Sequence, residues 1–312
     1  KRQAPGWQKR VWSPFISILG TGATAFVYNG RFQPETYLEL LQDYQINVLC
    51  CTPTEYRMMA KLSNLNDYHL ELLHSAVSAG EPLNREVVEQ FKNNFNLTVR
   101  DGYGQTESTL LIGFLKDTEP RPGSMGKGIP GSFVTIIDDD GNEVPPQTKG
   151  NIAVPLDLPA LFKGYYKDEE RTKAAAAGYY YVTGDLAHKD EDGYFWFEGR
   201  RDDIIISSGY TIGPFEVEDA LTNHPAVKEC AVVASPHEIR GNIVKAFIIL
   251  QNNYEGNDEL VKELQTFCKN EVAPYKYPRA IEFVDDLPKT NSGKIRRVEL
   301  RDAEIAKYNN QD

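Results

Sequence analysis

Four short segments combine the residue types that handle anions and nucleotides. Leu287-Pro-Lys-Thr-Asn-Ser-Gly-Lys294 is a small polar loop that ends in a lysine. Gly293 would let backbone come close to a ligand, and Lys294 is a compact cation on a long stem, suited to a phosphate or carboxylate. Asp101-Gly-Tyr-Gly-Gln-Thr-Glu107 offers a flat aromatic ring (Tyr103), glycines for close approach (Gly102, Gly104), an amide and a hydroxyl for phosphate (Gln105, Thr106) and a carboxylate for Mg²⁺ (Glu107). Asp185, in Tyr181-Val-Thr-Gly-Asp-Leu186, could accept from two ribose hydroxyls. Gly199-Arg-Arg-Asp-Asp203 is a compact charged cluster. Taken singly, each has an ordinary alternative. These are a solvated turn, a strand-to-helix turn capped by Thr106 or Ser108, a surface turn aspartate and an exposed charge run.

The elements around these segments predict an α/β fold. Thr24 to Tyr28 is β-prone and closes at Asn29-Gly30. Glu35 to Tyr44 carries apolar residues at helical spacing, and Ile46 to Cys51 reads as a buried strand. A helix after Pro53, a strand at 75–78 that runs into Gly80, Glu81 and Pro82, a helix from Asn84 to Phe95 capped by Asn84, and a strand at 97–100 continue the pattern. Asp101 to Glu107 then reads as a loop after that strand. In open α/β sheets, ligands gather at the carboxyl ends of strands, where both 80–82 and 101–107 fall. From about residue 121, short β-prone runs and Asp-Gly turns predict a small antiparallel β subdomain. Beyond 203, a helix at 215–221, strands at 230–234 and 246–250 and a helix at 259–271 predict a second α/β unit.

With 312 residues, the chain can bury more than one core, and two domains are expected. A net charge of −11 argues against nucleic acid as the main partner, though a nucleotide needs only a local positive site. No apolar run is long enough to cross a bilayer, so no membrane partner is expected. Cys50, Cys51, Cys230 and Cys268 show no metal spacing. Cys50 and Cys51, neighbours in an apolar run, read as buried free thiols, which suits a cytoplasmic location.

Taken in order and spacing, the four segments resemble the adenylate-forming superfamily, which includes acyl-CoA synthetases, the acyl-adenylating domains of peptide synthetases, and luciferases. Ser207-Ser-Gly-Tyr-Thr-Ile-Gly-Pro-Phe-Glu-Val-Glu218 is similar to the medium-chain and acetyl-type acyl-CoA synthetase branch. The resemblance implies ATP-dependent activation of a carboxylic acid to an acyl-adenylate, followed by attack of the CoA thiol, with AMP and pyrophosphate released. It implies ATP and CoA as co-substrates and Mg²⁺ as the metal. It places Gly80, Glu81, Pro82 and Tyr103 at the adenine, and wraps Asp101, Gly102, Gly104, Gln105 and Thr106 around the nucleotide. Asp185 and Arg200 then hold the ribose, and Glu107 holds Mg²⁺. Asp202 becomes the hinge and Lys294 the lysine of the adenylation step. Ser208, Gly209 and Lys269 match CoA-binding positions; Lys269 also reads as an exposed helix lysine. Thr222, His224 and Val227 match a structural Mg²⁺ site of some relatives.

The implied architecture is a partial large AMP-binding domain over 1–199 (βα sheet plus antiparallel β subdomain), a hinge at 200–203, and a small mobile α+β domain over 204–312. The superfamily's upstream phosphate loop, T-S-G-T-T-G-x-P-K, is not found. Gly123 to Lys127 is too short to replace it, so the chain is expected to be a piece with little adenylation of its own. Gly104 stands where acetyl-specific relatives carry tryptophan, which implies a deeper acyl pocket and a short-branched to medium-chain acid. Thr211 replaces an arginine that many relatives place near phosphate. A purely acetyl-specific enzyme, a non-catalytic nucleotide- or acyl-CoA-binding module and an adenylation domain that loads a carrier protein are the other readings. Acetylation of Lys294 would remove its charge, which makes a lysine acetyltransferase and a deacetylase candidate partners.

Overall fold

The computed structural model describes residues 18–290 and 294–309. The first layer is a parallel sheet flanked by helices. Helix α1 (Pro34–Asp43) leads into β1 (Val48–Cys51), α2 (Pro53–Ala60), β2 (Ser75–Ser78), α3 (Arg85–Phe95) and β3 (Val99–Arg100), with strand order β1-β2-β3. Helix α2 starts on a capping box: Thr52 N–H donates to Glu55 Oε2 while Glu55 N–H donates to Thr52 Oγ1. Leu38, Leu49, Tyr56, Val87, Phe91 and Val99 pack one core between sheet and helices. Strand β1 alternates exposed and buried, so the adjacent cysteines face opposite ways: Cys51 is buried and Cys50 is exposed. The expectation that both are buried is therefore corrected for Cys50. The predicted strand at 24–28 does not form either. Phe26, Val27 and Tyr28 are exposed, and among the described residues no strand pairs with them.

The second layer is an antiparallel sheet in the order β4-β5-β6-β11-β10-β8-β7, with β9 paired to β10. Its strands are β4 (Gly102–Gln105), β5 (Thr109–Gly113), β6 (Gly126–Gly128), β7 (Thr135–Ile137), β8 (Gly150–Pro155), β9 (Ala176–Ala177), β10 (Tyr180–Lys189) and β11 (Tyr194–Arg200). Helix α4 (Glu169–Ala174) precedes β9. The segment read as a loop at 101–107 is thus largely a strand, and a hairpin follows it rather than a helix. Gly104 is required there: a Cβ on it would lie 1.8 Å from the Thr109 carbonyl oxygen.

The last layer begins with a hairpin, β12 (Ile205–Ser207) and β13 (Tyr210–Ile212), turned by Ser208-Gly209 with φ of 50° and 82°. Two positive φ angles are what a tight type I′ hairpin turn requires. Helix α5 (Pro214–Thr222) follows, then β14 (Val227–His237), β15 (Gly241–Leu250), α6 (Asp258–Glu271), β16 (Ala280–Phe283) and α7 (Arg297–Asn309). Strand β14 pairs antiparallel with β15, and β15 pairs parallel with β16. Its core gathers Val217, Leu221, Val232, Ile248 and Leu264. Among the described residues, no helix is long and apolar enough to cross a membrane.

Candidate functional site

A cleft of about 1170 Å³ lies between the layers. Strand β10 sets its floor. Period-2 alternation puts Tyr181, Thr183 and Asp185 on one buried face, with Gly184 at φ 78° just before the aspartate. Strand β4 presents Tyr103 and Gln105 on the face that meets them. Tyr103 OH donates to Asp185 Oδ2 at 2.5 Å, and Gln105 Nε2 donates to the same oxygen at 2.8 Å. Tyr181 OH donates to Gln105 Oε1 at 3.1 Å and fixes the amide's orientation. Arg200 stands opposite Asp185 in the β10–β11 register, with its Nε 4.0 Å from Oδ1.

The electrostatics follow from burial. Asp185 is 8% exposed, and loss of water raises its carboxyl pKa. The Tyr103 and Gln105 hydrogen bonds and the Arg200 and Lys294 charges offset only part of that rise. The Tyr103 hydroxyl is itself pushed well above the ordinary tyrosine value, first by burial and then by the Asp185 charge.

The remaining predicted nucleotide residues line the same cleft: Gly80, Glu81, Pro82, Asp101, Gly102, Gly104 and Thr106. Gly80 has φ 101°, a backbone that suits glycine at the end of β2. Glu81 Oε2 accepts from Thr54 Oγ1 at 2.6 Å and from Arg57 Nη2 at 3.2 Å, while its Oε1 is buried without a partner. Glu107 accepts from Tyr165 OH at 3.1 Å. Lys294 faces the cleft from the last layer. Its N–H donates to Thr290 Oγ1 at 3.1 Å and its carbonyl accepts from Thr290 N–H at 2.8 Å. Asn291, Ser292 and Gly293, including the close approach expected of Gly293, lie outside the described residues.

Other predicted residues lie at the cleft edge, as Asp202 and Thr222 do, or away from it. Asp202 is at the cleft edge, where its carbonyl accepts from Arg301 Nη1 at 2.6 Å. Ser208 and Gly209 form the exposed β12–β13 turn, and Ser208 Oγ accepts from Arg240 Nη1 at 3.1 Å. Lys269 sits 4.0 Å above the Tyr277 ring. Neither the turn nor Lys269 lines the cleft. Thr222, His224 and Val227 all have hydrogen-bond partners within the protein. The Thr222 carbonyl accepts from Lys61 Nζ at 3.1 Å, the His224 carbonyl accepts from Val227 N–H, and the His224 ring meets Glu263. An ammonium group thus already bonds one of the oxygens that the metal reading calls on. Among the described residues, no cluster of three or more His, Cys, Asp or Glu side chains could hold a metal. Tryptophan at position 104 would require the β4–β5 hairpin to re-form, so the Gly104 substitution is not a clean probe of pocket depth.

Tyr165, Arg171 and Arg297 also line the cleft, though their sequence context gives little sign of it. Arg171 stacks on the Tyr165 ring at 3.9 Å, beside Glu107. Tyr165 comes from a loop and Arg171 and Arg297 from helices of ordinary polar composition, and only the fold brings them in.

The sequence matches the AMP-binding enzyme family over residues 10–166 and the AMP-binding enzyme C-terminal domain over residues 216–294. The chain belongs to the AMP-binding enzyme family. It is 67% identical over 301 residues to the uncharacterized acyl--CoA ligase YtcI of Bacillus subtilis (strain 168), covering 96% of this chain and 57% of that protein. It is 47% identical over 306 residues to the mitochondrial acyl-coenzyme A synthetase ACSM3 of Mus musculus, covering 96% and 52%. The fold resembles the crystal structure of the anthranilate CoA ligase AuaEII in complex with anthranoyl-AMP. That match has a TM-score of 0.85 and 33% identity, and covers 92% of this chain and 56% of that one. The chain therefore spans about half the length of the relatives it matches.

Proposed function

We propose that the full-length protein is an AMP-forming acyl-CoA synthetase. It would activate a carboxylic acid with ATP and pass the acyl group to CoA. The observation that carries this reading is Lys294, which lines the Asp185 cleft from a different layer and lies near enough for its charge to offset part of the burial-driven rise in the Asp185 carboxyl pKa. Attack of a carboxylate on the α-phosphate brings two anions together and spreads charge over phosphate oxygens. Positioning and countercharge are then the main catalytic needs, and no protein nucleophile is required.

In this reading, Gly80, Glu81, Pro82 and Tyr103 border the adenine. Asp185 accepts from the ribose hydroxyls with Arg200 beside it, Thr106 bonds phosphate, and Lys294 stabilises the charge of the adenylation step. Glu107 suits a hard cation: its carboxylate lines the cleft, and no ion pair engages it among the described residues. Mg²⁺ bound there with ATP would neutralise phosphate charge. Ser208, Gly209 and Lys269 lie away from the cleft, which suits a CoA path used after the last layer swings about Asp202. The proposed domains are 1–199 and 204–312, with 200–203 between them. The names of the acyl-CoA ligase relatives support the class of reaction. A short-branched to medium-chain acid and a cytoplasmic setting complete the reading. The four cysteines are free thiols, which accords with a reducing compartment. Control by acetylation of Lys294 fits its role as an unshielded charge.

The test is a panel of acids with the full-length protein, read as CoA-dependent AMP formation. At least one short to medium-chain acid should turn over. Absence of AMP with every acid refutes the reading.

A further inference from the structure

Asn84 occupies the N-cap position of α3, yet its side chain makes no capping bond. It is 3% exposed, and all its bonds are long-range. Its Oδ1 accepts from Arg57 Nη1 of α2 at 2.9 Å. Its Nδ2 donates to Asp219 Oδ1 at 3.0 Å and Thr222 Oγ1 at 3.3 Å, both on α5. Asp219 Oδ1 also accepts from Arg85 N–H at 3.3 Å, and Lys61 Nζ bonds both Glu86 and the Thr222 carbonyl. Helix α3 has thus given up its own cap to hold a helix more than a hundred residues away.

The network has two ends. At one, Arg57 Nη2 reaches Glu81, whose second carboxylate oxygen is buried in the cleft without a partner. A donor arriving there would engage the same carboxylate that anchors Arg57. At the other end, α5 carries Glu218 beside Asp219, and Glu218 clamps Arg297 through Nε at 2.9 Å and Nη2 at 2.6 Å. Arg297 lies three residues beyond Lys294. One helix therefore joins the first layer to the segment that presents the lysine.

We propose that Arg57, Asn84 and Asp219 form a latch that couples occupancy of the nucleotide cleft to the Lys294-forward placement of the last layer. The inference rests on the adenylation reading above. Asn84 and Asp219 act as positioning residues, since neither need touch the reacting atoms. The bonds are neutral or singly charged, and each is replaced by one to water on separation, so the latch can open within a catalytic cycle.

The experiment uses the full-length protein and measures the half-reactions separately. Asn84→Asp sets two carboxylates face to face. It should lower acid-dependent ATP–pyrophosphate exchange on the order of tenfold, within the usual range of coupling between sites. CoA thioester formation from synthetic acyl-adenylate should stay near the parent rate. Asn84→Asp combined with Asp219→Asn restores a donor–acceptor pair and should recover exchange. Tryptic cleavage after the exposed Arg200 or Arg201 gives a readout without turnover: ATP should protect the parent and the double variant, but not Asn84→Asp. Equal loss in both half-reactions, unchanged exchange, or no recovery in the double variant overturns the latch. If the adenylation reading itself is wrong, the parent also lacks exchange, while the ATP-protection comparison still decides the latch.

Discussion

The two walls of the cleft are built on opposite plans. The Asp185 wall is closed in on itself: Tyr103, Gln105 and Tyr181 bond one another and the carboxylate across β4 and β10. The Lys294 wall presents its lysine beside the short bridge between Lys289 and Ile295, and no salt bridge engages that lysine among the described residues. The first wall is preorganised and can wait for a ligand. The second keeps its charge unspent and depends on an anchor behind it. That anchor is the Glu218–Arg297 pair, where Glu218 also accepts from Val232 N–H at 2.8 Å. Burial works against the Arg297 charge, but Glu218 outweighs it and holds the guanidinium pKa above its ordinary value.

Removing the anchor should have the largest effect. Glu218→Ala would strand a partly buried guanidinium and the Val232 amide, at a cost of about 2–4 kcal/mol in unfolding free energy, somewhat below that of a fully buried pair. Denaturant melts of the full-length protein followed through the last layer measure it. A loss under about 1 kcal/mol would mean the arm is held elsewhere. Next comes the cation. Lys294→Ala should slow adenylation by about 10²–10³-fold, the usual loss when one preorganised charge-stabilising group is removed. Thioester formation from preformed adenylate should be spared. A variant that couples acids to CoA at the parent rate would end the contrast between the walls.

The same contrast explains what the sequence revealed. Helices α1, α2 and α3 and strands β1 and β2 were legible because each buries one regular stripe. The chemistry-bearing residues were legible because glycines and charges cluster around them. Strand β4 was not, because Gly102-Tyr-Gly-Gln105 has no apolar alternation and becomes a strand only by pairing with β5. Helix α7 was equally opaque. Its one buried residue is Glu304, and it docks through ion pairs to Lys245, Asp203 and Glu218, with the partly buried Leu300 as its contact to the Ala231–Val233–Phe247 cluster. The cap rule chose Asn84 correctly as a position but missed its role, since distant partners outcompeted the local N–H groups. The metal reading of Thr222, His224 and Val227 came from the family resemblance, and the contact of Lys61 with the Thr222 carbonyl comes from too far along the chain to be foreseen.

A smaller effect belongs to the joint between the walls. Glu198 of β11 is 8% exposed and bonds His188 Nδ1 at 2.7 Å and Lys149 Nζ at 2.5 Å. Burial alone would raise its carboxyl pKa, but these two partners outweigh it and hold it below the ordinary glutamate value. A depressed folded-state pKa gives stability that is present above the unfolded pKa and is lost as pH falls through the folded one. Glu198→Gln should therefore cost about 1–3 kcal/mol at neutral pH. The gap to the parent should narrow below about pH 4, where the parent glutamate also protonates. A gap that is constant with pH would assign the loss to packing.

The smallest effect tests whether the Asp185 wall is preorganised at all. Tyr103→Phe keeps the ring in the cleft and deletes only the hydroxyl that donates to Asp185. The carboxylate then loses one of the bonds that offset its burial, so its pKa, already raised, should rise further. If the wall is fixed in advance, AMP binding to the full-length protein should weaken by about fivefold, near 1 kcal/mol, the net worth of one hydrogen bond. The weakening should grow as pH falls, because a larger share of the variant's Asp185 is protonated and cannot accept from both ribose hydroxyls. Binding calorimetry with AMP at two pH values measures both. Unchanged affinity at either pH would mean Gln105 and Arg200 suffice to hold Asp185, and that the wall re-forms around its ligand as freely as the lysine arm does.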